Sequence, residues 1–316
     1  MSSLRIVFMG TPDFAVPSLE ILNKHFDVVG VITAPDKPAG RGKKLRKSAV
    51  KEFAETNDLR VLQPTNLKDL GFVEELRAIK ADLQVVVAFR MLPEVVWNMP
   101  PKGTINLHGS LLPQYRGAAP INWAIINGEK KTGVTTFFLQ HQIDTGDLID
   151  QTEIEISPNM TAGELHDKMM EVGAQTLLET VKKIDEGKAK GTPQHQVKEQ
   201  DLKSAPKIFK EDCKIDWSKE AEKVHNHIRG LSPYPAAWTV LQRDEKKVNF
   251  KILKSKLSNV QNLSPGEIKV DADNRLLVGT ANSDVEILEL QMEGKKRMDV
   301  EAFLRGFQFE SGDRFE

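Results

Sequence analysis

Six mostly apolar residues, LRIVFM at positions 4–9, stop abruptly at Gly10, and this run constrains the fold more than any other feature. An apolar run with no polar alternation has no face to give to water, so it belongs inside a parallel sheet covered on both sides. Asp13 follows, then residues 14–22 with apolar side chains at helical spacing, then a second apolar run at 28–32. Strand, turn, helix and strand make a βαβ unit. The pattern continues with a helix at 72–79, a buried strand at 83–88, a helix closed by Pro100 and Pro101, and a strand opening at Thr104. The expected first domain is therefore α/β, with a Rossmann-like open, mostly parallel sheet. Its first turn, GTPDF at 10–14, has one glycine where a dinucleotide fingerprint needs three, which argues against a nicotinamide or flavin enzyme. Strands are expected at 134–139 and 148–156. Thr161 and Glu164 have the spacing of a capping box that opens a helix from 162 to about 186.

At 316 residues, two domains are the default. Residues 187–206 lose periodicity and carry Gly187, Gly191, Pro193 and Pro206, as an interdomain linker does. Beyond it a helix is expected at 217–229, broken by Pro233 and Pro235. Short β-rich runs follow at 237–241, 248–253, 275–278 and 285–290. These predict a small five- or six-stranded OB-like barrel. The division is 1–186, linker 187–206, and 207–316.

The chemistry concentrates at 104–120, TINLHGSLLPQYRGAAP. Asn106 and His108 are two apart, so on an extended strand both side chains face the same way. Gly109, Pro113, Gly117 and Pro120 then force a shaped loop. An amide and an imidazole aimed at one spot suit a carbonyl whose oxygen turns negative under attack. Downstream, QHQIDTGD at 140–147 holds Asp144, a carboxylate able to reach back to the imidazole. Taken singly, each residue has a plainer reading, as a turn asparagine, a semi-buried histidine or a turn carboxylate. His141 reads as a solvent-facing bystander.

The runs NLHGSLLPQYRGAAPINWAI and QHQIDTGD resemble the folate-dependent formyltransferases. The resemblance extends through KPAGRGKK at 37–44 and through 207–217 and 228–230, which follow the branch of that family acting on tRNA. It implies that Asn106, His108 and Asp144 are catalytic, without a metal, and that the formyl donor is 10-formyltetrahydrofolate. The acceptor it implies is the α-amino group of methionyl-initiator-tRNA. The folate pocket is expected from Phe89, Arg90, Met91 and Leu92, with Ser110, Leu111, Leu112, Pro113, Gln140 and Ile143. Arg90 and Met91 stand where the family more often has glycine and glutamine. For tRNA, Arg41 is expected to insert at the acceptor end, with Lys43, Lys44, Arg46 and Lys47 nearby, and Lys246 and Lys247 from the barrel.

Charge sets the remaining bounds. A net charge of -1 gives no overall attraction to nucleic acid, so RNA contacts need local clusters. Residues 36–51 hold seven basic side chains against Asp36 alone, and Pro38, Gly40 and Gly42 predict an irregular, mobile arm. Arg243, Lys246, Lys247, Lys251, Lys254 and Lys256 form a second basic run, although nineteen bases and nineteen acids balance from residue 207 onward. One cysteine, Cys213, excludes an internal disulfide. No apolar run of membrane-spanning length occurs, and a cytoplasmic monomer is expected. The competing functions are formyl transfer to a small amine, such as glycinamide ribonucleotide or an amino sugar nucleotide, and a non-catalytic RNA-binding module.

Overall fold

The computed structural model describes residues 3–39, 44–194, 199–243, 246–260 and 263–316. The chain divides into two compact units that interleave along the sequence. The first takes Met1–Gly117, Thr132–Ile154 and His166–Lys203, and the second takes Ala118–Lys131, Glu155–Leu165 and Ser204–Glu316.

The first unit is built on a seven-stranded sheet. Arg5–Gly10 lies at its middle, parallel to Asp27–Ile32 on one side and to Leu83–Val87 on the other. Thr104–His108 adds in parallel beyond Leu83–Val87, and Lys131–Phe138 runs antiparallel to it. Ile6, Val7, Phe8 and Met9 are all buried although alternate residues face opposite sides, so both faces of the central strand are covered. One face packs Val7, Met9 and Val86 against Phe72, Val73 and Leu76 of the Leu70–Ala78 helix. Asp69 caps that helix by accepting from the Phe72 amide. The strand order reverses between Arg5–Gly10 and Leu83–Val87, and an open α/β sheet forms its crevice at the carboxyl ends beside such a reversal.

The basic arm differs from the irregular segment expected. Lys37–Ala39 pairs antiparallel with Lys44–Arg46, making a short ribbon. Lys51 is not part of its cationic surface: it makes a half-buried ion pair with Asp36 at 2.6 Å and also donates to Gln63. The Lys51 and Gln63 hydrogen bonds hold the Asp36 carboxyl below the usual carboxylate range.

In the second unit, antiparallel strands run in the order Ile268–Val270, Leu276–Gly279, Asp284–Met292, Lys246–Leu257, Ala237–Arg243 and Arg314–Phe315, with Met298–Asp299 beside Asp284–Met292. Arg314 also bridges to Glu267, just ahead of the first strand in that order, and the Phe315 amide donates to Gly266 O, so the sheet curls into a nearly closed barrel. A side chain on Gly266 would meet Phe315 O at 2.3 Å, which is why the joint needs glycine. Trp217, Phe250, Phe303 and Phe315 fill the interior. The helix expected from 217 begins at Ala221 instead. The Asp216 carboxylate takes the Ser218 amide and hydroxyl in a turn, which frees Trp217 to enter the barrel. Among the described residues no helix is long and apolar enough to cross a membrane.

Candidate active site

Thr104–His108 carries Asn106 and His108 to the carboxyl end of the sheet, on the same side of the strand. His108 is 7% exposed, whereas Asn106 is half-buried. Its side-chain amide has no protein partner among the described residues. The loop that follows turns back on the imidazole. His108 Nε2 lies 2.9 Å from the Tyr115 carbonyl oxygen, which can only accept, so Nε2 carries a hydrogen and donates it. Nδ1 faces Asp144 Oδ2 at 3.8 Å, ion-pair range but longer than a hydrogen bond. The same Oδ2 accepts the Gly117 amide at 3.0 Å.

Two residues of this arrangement have left-handed backbones without being glycine: Tyr115 at φ 59° and Asp144 at φ 53°. Ala88, where the neighbouring strand ends, is a third, at φ 47°. Such conformations persist only where the surroundings over-determine them, and they cluster at functional sites. Gly146 anchors the Asp144 loop, because a Cβ there would lie 1.7 Å from Phe138 O.

The residues expected to line a folate pocket divide into two groups. Met91 is 74% exposed and Ile143 60%, with Gln140 exposed between them in sequence. Their two segments are neighbours: His141 reaches Glu94 at 3.6 Å and sets its ring edge-on to Trp97 at 5.4 Å. Phe89 and Leu92 are half-buried against the sheet's core. Arg90 is turned aside and donates to the carbonyls of Pro64 and Thr65. Ser110, Leu111 and Leu112 frame the loop from within. Ser110 donates to Gln114 O, Leu111 packs over Gly133, and buried Leu112 has its amide on Thr135 Oγ1 and its carbonyl on Gln151. Pro113 is half-buried beside them.

Of the residues expected to meet tRNA, Arg41 and Lys43 lie outside the described residues, and Lys44 is described only through its backbone in the ribbon. Arg46 is exposed. Lys47 pairs with Glu55 at 2.6 Å, and that contact raises its pKa. Lys246 is exposed, and Lys247 lies 3.5 Å from Glu316. Lys254 and Lys256 face Glu289 and Glu286 on the adjacent strand, which offsets part of the basic run. Among the described residues no cluster of histidine, cysteine and carboxylate could hold a metal.

A family model described as formyl transferase matches residues 4–181, and one described as formyl transferase, C-terminal domain, matches 207–308. The chain belongs to the formyltransferase family. Among curated formyltransferases, the methionyl-tRNA formyltransferase of Bacteroides fragilis is 55% identical over 308 residues, covering 96% of this chain and 95% of its own. That of Flavobacterium johnsoniae is 53% identical over 311 residues, covering 98% of both chains. The fold matches a Helicobacter canadensis N-formyltransferase, solved with folinic acid and dTDP-3-aminofucose, at TM-score 0.67 and 21% identity, covering 90% of this chain and 98% of that one. It also matches Aquifex aeolicus HypX in complex with tetrahydrofolic acid, at TM-score 0.64 and 19% identity, covering all of this chain and 51% of that one.

What a reading of side chains missed in this formyltransferase is backbone: the Tyr115 carbonyl and the Gly117 amide. Neither carries a residue signature. The glycine at 117 was the one available hint, since its backbone takes a φ of 127° that side chains rarely adopt.

Proposed function

We propose that this protein transfers the formyl group of 10-formyltetrahydrofolate to the α-amino group of methionyl-initiator-tRNA. The observation that carries this reading is 55% identity, sustained across 96% of the chain, to a methionyl-tRNA formyltransferase. In that reading Asn106, His108 and Asp144 are the catalytic residues. Attack of the amine on the formyl carbon makes a C–N bond and puts negative charge on the formyl oxygen. The Asn106 amide, which has no partner among the described residues, would donate to that oxyanion. The bond from the formyl carbon to the folate nitrogen then breaks, the attacking amine loses a proton, and the departing nitrogen must gain one. With Nε2 held by Tyr115, His108 Nδ1 is the nitrogen available for that traffic, and Asp144 faces it. Exposed Met91 and Ile143, on neighbouring segments, offer apolar surface suited to a flat pterin ring. Arg41, Lys43, Lys44, Arg46 and Lys47 would meet tRNA from the basic arm at 36–51, and Lys246 and Lys247 from the barrel. The same reading takes the protein to act in the cytoplasm, where initiator tRNA is charged, and as a monomer.

The test is incubation with 10-formyltetrahydrofolate and methionylated initiator tRNA, followed by detection of formylmethionine. Glycinamide ribonucleotide and a dTDP-amino sugar are run in parallel. Formylation of a small amine with none on the tRNA would overturn the proposal.

A further inference from the structure

Gln194 lies in the stretch whose composition reads as a linker, fifty positions from Asp144, yet its side chain joins the two loops that make the site. Its Nε2 donates to the Asp144 carbonyl at 2.8 Å and to the Gly146 carbonyl at 3.0 Å. Its Oε1 accepts from the Arg116 guanidinium. Arg116 stands between the two residues that hold the pair: Tyr115 accepts from His108 Nε2, and the Gly117 amide donates to the Asp144 carboxylate. Three consecutive residues thus grip the imidazole, Gln194 and the carboxylate. The amide closes the circuit by holding Asp144's own backbone. The grip is needed because Asp144 sits at φ 53° and Tyr115 at φ 59°, conformations that an isolated loop would leave. The segment is seated independently of this side chain, since Thr192 pairs with Leu148 and a Cβ at Gly191 would press on Asp147 at 2.8 Å.

We infer that Gln194 is a positioning residue for the reaction: it fixes the Asp144 loop to the 115–117 loop and so sets the distance between Asp144 and His108. Its hydrogen bonds go to Arg116 and to the Asp144 and Gly146 carbonyls, not to the imidazole or the carboxylate itself. The inference rests on the catalytic roles proposed above for His108 and Asp144.

The experiment is a double-mutant cycle. Gln194→Met keeps the length of the side chain and removes both hydrogen-bonding groups. It is expected to lower kcat by on the order of 100-fold, the scale of a misplaced catalytic group, with KM for both substrates near wild type. Gln194→Glu keeps an acceptor for Arg116 but sets a carboxylate oxygen against two carbonyls, so it should do no better. In an Asp144→Asn background, Gln194→Met should cost less than about 3-fold more, because the group it positions is already gone. Hydrogen exchange at the Gly117 amide gives a readout apart from turnover and should accelerate in Gln194→Met. Equal losses in the two backgrounds would overturn the inference. So would a raised KM at unchanged kcat, wild-type turnover in Gln194→Glu, or unchanged Gly117 exchange. The wild-type acceptor assay decides the substrate separately, and the cycle can be run on whichever amine the wild type formylates.

Discussion

Asn106 is the residue whose loss should be felt most directly at the reacting carbon. Its amide lies on a strand with no protein partner among the described residues, so in the proposed role it would meet an oxyanion without first giving up another bond. Asn106→Ala should lower kcat about 100- to 1000-fold while tRNA binding is retained, checked by steady-state kinetics beside a tRNA binding isotherm. Cys213 makes the opposite case. It is buried, donates to the Phe209 carbonyl, and its thiol is pushed up by burial and by the nearby Asp212 and Glu211 carboxylates. Cys213→Ser should therefore leave kcat unchanged, and the native protein should react slowly with a thiol reagent until it is unfolded. Asn106, His108 and Asp144 stood out in the chain through the family motif that carries them, since each taken alone has a plainer reading, and the fold brings His108 and Asp144 to 3.8 Å. Gln194 did not, because an amide in a polar stretch looks like any other until the fold shows which carbonyls it meets.

The elements around the site followed the sequence where burial dictates them and departed where charge or turns decide. Three buried parallel strands, near 4–9, 28–32 and 83–88, showed as apolar runs, and the Thr161–Glu164 reciprocal cap formed as its spacing requires, with Glu164 Oε2 accepting the Thr161 amide at 2.8 Å and Thr161 Oγ1 accepting the Glu164 amide at 3.2 Å. Thr161→Ala should cost about 1 kcal/mol in urea denaturation with activity intact. The ribbon at Lys37–Ala39 and Lys44–Arg46 was hidden by Pro38, whose missing amide argues against a strand. A two-stranded edge tolerates it. The Asp144 loop depends on Gly146, which has no room for a methyl group. Gly146→Ala should destabilise the protein by about 1–3 kcal/mol and depress kcat beyond what the loss of folded protein explains, measured by thermal unfolding and by turnover per folded molecule.

Taken whole, the molecule should be sensitive to acid through a group outside the proposed catalytic set. His225 is buried in the second unit, with Nε2 donating to the Pro158 carbonyl at 3.3 Å and Nδ1 accepting from the Ser255 hydroxyl at 3.0 Å. Burial first, and the nearby Arg229 charge, hold its pKa below the ordinary 6.5. The unfolded chain therefore binds a proton that the folded ring refuses. Stability is full above about pH 6.5 and declines as the pH falls from there through the folded-state value. Melting temperatures recorded between pH 8 and 5 should drop on the acid side, and His225→Gln should lessen that drop while leaving the part that His227, also lowered by burial, contributes. The barrel in the same unit has a different consequence. Its ring is completed by Phe315, which pairs with Leu241 and stacks on Trp217. During synthesis, all the other staves are finished before this one leaves the ribosome. Until then Trp217 lacks the ring it stacks on, so the nascent second unit keeps one side of its core open and adhesive until its last stave arrives.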